Sequence, residues 1–223
     1  MEHPLGSGKL AIGVMASLPG AILILLLAAG HVGNEWNGRT IKAVLTQEGH
    51  RSRLLAAKAV TLWVAALGIV LVDWAALAGF SFVLKAAYHL PGESIPWPAA
   101  WSAVADDAAR APLVLAVFVI IGVAAAVLVR NTLGGFLLAG GAVIASMVAA
   151  GFSGISRLTL AYWVSGWMQF QPRAYVVYHF WSDRYPSGVS PPGQLRGLLG
   201  LAAVIVVGAT LAVTTLKRVD IST

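Results

Sequence analysis

The sequence predicts an all-α, polytopic helical membrane protein, and three observations carry that prediction. Of the 223 residues, 58% are hydrophobic and only 11% are charged, where an ordinary soluble domain has about 25% charged residues. The apolar residues fall in long blocks with few charges, and a run of about 18 or more is what a helix needs to cross a hydrocarbon core of about 30 Å. The block interiors are rich in Gly and Ala and do not alternate. That excludes outer-membrane strands, which alternate in pieces of about 10 residues. Backbone polar groups in lipid must be satisfied within the segment, so runs this long are helices.

Five spans follow in one transmembrane domain: Leu10 to Gly30, Ala59 to Leu84, Ala111 to Val129, Leu133 to Phe152, and Gly197 to Leu216. Lys and Arg orient them. With the stretch after the first span inside, segments 31–58, 130–132 and 217–223 hold eight Lys/Arg in 38 residues, while 1–9, 85–110 and 153–196 hold seven in 79. The asymmetry places the C-terminus inside and the N-terminus outside a cell membrane, as in a multi-pass protein of a bacterial cytoplasmic membrane. Met1 to Lys9 does not read as a signal peptide: one cation precedes a long apolar block, and no convincing cleavage site follows. The net charge of +6 is explained by these block-end cations and by lipid headgroups, with no need for nucleic acid. The chain has no cysteine, which removes disulfides and thiolate chemistry.

The polar segment GNEWNGRTIKAVLTQEGHRSRLLAAK, residues 33–58, concentrates charge between the first two spans. From Glu35 to Gln47 its apolar residues Trp36, Ile41, Val44 and Leu45 and its polar residues Arg39, Lys42 and Thr46 fit a short amphipathic helix at the cytoplasmic surface, with Asn34 as cap and Gly49 as stop. On physical grounds alone, an ordinary interfacial helix with positive-inside anchors explains the segment.

The same segment resembles the cytoplasmic segment of ABC type-2 transporter permeases: an apolar helix ending in Glu35, then Gly38 and Thr40, the run Ile41 to Leu45 with Lys42, a turn at Gln47 to His50, Arg51 or Arg53, and Lys58 opening the next helix. Arg39 stands between Gly38 and Thr40, and the turn has no proline. Three further spans follow, the last two separated by a long aromatic-rich outer segment, so the resemblance runs over nearly the whole chain. It implies a non-catalytic permease subunit of an exporter with an amphiphilic, drug-like or lipid-like substrate. Its partners would be a second permease subunit, as homo- or heterodimer, and cytoplasmic ABC ATP-binding subunits carrying ATP and Mg. The implied coupling residues are Glu35, Trp36, Gly38, Arg39, Thr40, Ile41, Lys42, Val44, Leu45 and Arg51. Because the family places this segment after its second helix, the resemblance also implies a helix ahead of Leu10.

Other candidates are narrower. PLGSGKL at Pro4 to Leu10 is not a phosphate-binding loop: His3 stands where the first Gly belongs, Leu10 where Ser or Thr belongs, and no strand precedes it. Asp73 is the ionisable residue deepest in a span, about 22 Å along a helix from Lys58 at about 1.5 Å per residue, which predicts a position near mid-bilayer. Such a group faces the bundle or a wet cavity, as a translocation-path or proton-relay residue or as a hydrogen-bonded carboxyl. LTLAYWVSGWMQF, Leu158 to Phe170, reads as one or two short helices dipping into the outer leaflet, ended by Pro172. Tyr162, Trp163, Trp167 and Phe170 are either headgroup-level aromatics or, in the family, part of an outer gate. Residues 85–110, with PGESIPWP and then Asp106 and Asp107, read as an extended piece and a capped helix start. The histidines, scattered over both sides, lack metal-ligand spacing. Two rival functions remain: a membrane anchor or scaffold that does not transport, and an ion-coupled transporter using Asp73.

Overall fold

The computed structural model describes residues 6–38, 51–88, 97–169 and 193–218. Among them every regular element is helical: α1 (Gly6–Met15), α2 (Leu18–Asn37), α3 (Arg51–Tyr88), α4 (Trp97–Val129), α5 (Thr132–Ala149), a 3-10 turn (Ser156–Leu158), α6 (Leu160–Met168) and α7 (Gln194–Lys217). Helices α2, α3, α4, α5 and α7 are long and apolar enough to cross a membrane. The chain is a polytopic helical membrane protein.

The first block is not one continuous helix. It breaks at Ala16 and Ser17 and restarts at Leu18. Ser17 is extended (φ −102°, ψ −172°) with Pro19 in the first turn that follows, and proline has no N–H to continue the ladder and disfavours helix just before it. The Ser17 hydroxyl donates to the Val14 carbonyl at 2.6 Å, satisfying a group the break exposes. A Cβ at Gly20 would lie 2.2 Å from the Met15 carbonyl oxygen, so only glycine lets the two helices join this closely.

At its other end α2 runs on to Asn37 and is capped by Gly38, whose N–H donates to the Asn34 carbonyl. The amphipathic helix expected to start at Glu35 therefore does not start there: Asn34, Glu35 and Trp36 form the last turn of the membrane helix. Apolar packing of Val32 and Gly33, both buried, carries the helix past the polar residues.

Two helices outrun their apolar blocks. α3 has 38 residues and α4 has 33, about 57 Å and 50 Å at about 1.5 Å per residue. Asp106 and Asp107 lie inside α4 rather than at a helix start, because the helix begins at Trp97 with Pro98 in its first turn, where proline is tolerated.

α4 is the central post. Its membrane window is 61% buried, against 22% for α3 and for α7, and Val114, Leu115, Val117 and Phe118 are fully enclosed. α1, α2, α3, α5 and α7 pack around it. The outer helices leave Val60, Val64, Leu71, Leu199 and Val206 exposed, as lipid contact allows. A Cβ at Gly33 would sit 2.5 Å from the Thr132 Cα, so glycine brings the end of α2 onto the start of α5. Asn131 caps α5, its side chain accepting from the Gly134 N–H at 3.1 Å.

Candidate functional site

Two polar clusters mark opposite ends of the bundle. The first surrounds the points where segment 39–50 leaves α2 and re-enters α3. Lys58 donates to Glu35 Oε1, joining the first turns of α3 to the last turn of α2. The Lys58 side chain is 13% exposed and that of Glu35 22%, so the pair is mostly shielded from water and stronger than a surface pair. The Thr132 hydroxyl donates to Asn34 Oδ1 at 3.0 Å and accepts from Asn37 Nδ2 at 3.1 Å, which ties α2 to α5. The Arg130 guanidinium lies 5.5 Å from the Trp36 ring centroid, within cation–π range. Arg130 itself holds a left-handed backbone, φ 57°, in the two-residue turn between α4 and α5.

Together these contacts hold α2, α3, α4 and α5 around the base of a twelve-residue segment. Of the expected coupling residues, the structure brings Glu35 and Trp36 into this clamp, makes Gly38 the cap of α2 and puts Arg51 in the first turn of α3. Arg39, Thr40, Ile41, Lys42, Val44 and Leu45 lie outside the described residues. Arg130, Thr132 and Asn37 escaped the sequence reading. The only signal was a short polar interruption, Arg130 to Thr132, between two apolar blocks.

The second cluster lies around α6. Thr159 caps this helix by accepting from the Tyr162 N–H, and Ser146 on α5 accepts from the Leu160 N–H at 2.7 Å. At the other end, Arg110 of α4 makes a two-way clasp: its carbonyl accepts from Trp167 Nε1 at 2.8 Å and its guanidinium donates to the Met168 carbonyl at 3.1 Å. A cation at a helix C-terminus meets the negative end of the dipole. Asp106, one turn before Arg110, holds the same guanidinium at 2.8 Å. Two residues on, the Pro112 carbonyl accepts from Trp63 Nε1 of α3 at 2.8 Å. Two carbonyls two residues apart on α4 thus each accept an indole N–H from another helix.

α6 also presses on α7, where Cβ atoms at Gly197 and Gly200 would lie 2.4 Å from the Trp167 backbone nitrogen and 2.3 Å from the Trp163 ring. Of the expected aromatics, Tyr162 is buried and Trp163 and Trp167 are half-buried, so all three pack into the bundle; Phe170 lies outside the described residues.

Asp73 belongs to neither cluster. Its neighbour Trp74 packs edge-on to Trp101, centroids 6.4 Å apart, and against Gly8. Asp73 thus sits at the level where α1 and α4 begin, beyond Arg110 along α4. No group of three or more His, Cys, Asp or Glu able to hold a metal occurs among the described residues.

Comparison with protein-family models, with curated proteins and with solved structures finds no match to this chain.

Proposed function

We propose that this chain is the non-catalytic, membrane-spanning permease subunit of an ATP-driven exporter of the ABC type-2 kind, moving an amphiphilic, drug-like or lipid-like substrate by alternating access. ATP and Mg belong to cytoplasmic ATP-binding partners, and a second permease copy or homologue completes the path. The observation that carries this reading is the clamp of Glu35, Lys58, Trp36, Arg130 and Thr132 at the base of segment 39–50. A push on that segment reaches α2 and α3 together, because Glu35 and Lys58 join them, and reaches the α4–α5 turn through Thr132 and Arg130. Rigid-body transmission of this kind needs stiff attachment at both ends of the moving element. The far end supports the reading in the same terms: α4 carries α6 with it through Arg110, so displacement of the central helix moves the outer cover.

The test is co-purification with a candidate ATP-binding subunit and measurement of coupled transport, comparing the parent with Trp36→Ala plus Val44→Asp. Loss of association and coupling in the double variant is the expected result. Assembly and transport left intact would refute the coupling role of the segment.

A further inference from the structure

A lateral cleft of about 400 Å³ opens between α5 and α7, floored by α4. α5 and α7 each pack on α4 but scarcely touch one another. Ala125 and Leu128 of α4, Ala142 of α5, and Ala203 and Leu211 of α7 line the cleft, and Trp163 closes its outer end. The lining offers essentially no polar atom, so water entering would lose its hydrogen bonds. A gap left empty would forfeit the dispersion contacts of every side chain facing it. Within a bilayer span, the medium at the mouth of the cleft is hydrocarbon.

Charge selects which lipid. At about 1.5 Å per residue, Lys217 lies about 9 Å along the chain axis beyond Leu211, with Arg218 exposed beside it. From Ala111 to Ala149, and along the whole of α7, there is no carboxylate. The apolar cleft therefore ends in a basic rim, at the depth where a headgroup sits when its chain fills the cleft. We infer that the cleft is a binding site for one acyl chain of an anionic phospholipid, its tail between α5 and α7 under Trp163 and its phosphate at Lys217 and Arg218. The inference rests on the membrane fold and is independent of the transport reading.

The test uses the full chain in phosphatidylcholine nanodiscs containing, as a minor component, phosphatidylglycerol with a diazirine midway along one acyl chain. After illumination, labelled peptides are identified by mass spectrometry. Label is expected on the 121–128 and 203–211 stretches. It should fall at least about tenfold in Ala142→Phe and, independently, in Ala203→Phe, two exposed positions on different helices, while labelling of α3 stays unchanged. Replacing Lys217 and Arg218 by Gln should lower the preference for phosphatidylglycerol over a phosphatidylcholine carrying the same diazirine chain by about fivefold for each effective cation. Even labelling of all lipid-facing helices, or labelling indifferent to both Phe variants, overturns the site; equal labelling by the two lipids overturns its anionic selectivity. Disulfide formation between two copies of Ala203→Cys, in a chain otherwise without cysteine, would show a second copy seated there and also defeat the proposal.

Discussion

Replacing Glu35 by Leu should destabilise the chain far more than replacing Glu35 and Lys58 together. The single change would leave the Lys58 ammonium, 13% exposed in the native pair, without its carboxylate. Breaking a fully buried pair costs about 3–5 kcal/mol and an exposed one about 0–1 kcal/mol. With the carboxylate 22% exposed and lysine able to extend toward the headgroups, the loss should be about 2 kcal/mol. For a chain of this size that lowers the unfolding midpoint by about 4–8 °C. Lys58→Met should lose somewhat less, because the remaining carboxyl is nearer water. The double variant, Glu35→Leu with Lys58→Met, puts two apolar side chains of similar length in contact and should return to within about 1 kcal/mol of the parent. The four proteins form a double-mutant cycle, read by thermal unfolding in detergent with tryptophan fluorescence. A coupling energy below about 0.5 kcal/mol would show that the contact is not the tie between α2 and α3 argued above.

Two further outcomes follow from named contacts. Arg110→Met removes the donor to Met168 and should loosen α6. A single reporter cysteine at buried Ser165 should then react with a maleimide about tenfold faster, since a charge-assisted hydrogen bond contributes about 1.5–3 kcal/mol; an unchanged rate would deny Arg110 that role. At Arg130, with φ 57°, both Arg130→Gly and Arg130→Ala lose the contact with Trp36, but only glycine relieves the left-handed backbone. The Gly variant should be the more stable by about 1 kcal/mol in chemical unfolding, and equal stabilities would remove the strain.

The membrane spans were legible because length and hydropathy alone select them: a block such as Ala111 to Val129 has no other stable use in a bilayer. The break at Ser17 was written in Pro19, yet an uninterrupted apolar run from Leu10 to Gly30 hid it, since hydropathy does not register backbone geometry. Helix ends were misjudged wherever polar residues continued a helix by packing, as Glu35 and Trp36 do at the end of α2. Glu35 could be singled out from its position in the segment, but its link to Lys58 depends on two helices meeting 23 residues apart in sequence. The clasp at Arg110 was invisible for the same reason, as its acceptor belongs to Met168, 58 residues away, and a backbone carbonyl leaves no mark in a side-chain pattern.

The 38 residues of α3 set a limit on how the molecule sits in its bilayer. A helix about 57 Å long would have to lean about 60° to fit within about 30 Å of hydrocarbon, three times the average tilt of about 20°. At that average tilt, about 25 Å of its length lies in the headgroups or beyond them. α4 comes alongside α3 where Trp101 meets Trp74, a level that α3 passes on its way to Tyr88, so the end of α3 is not level with the start of α4. How far the ends of α3 emerge is therefore set by how thick a membrane the cell provides.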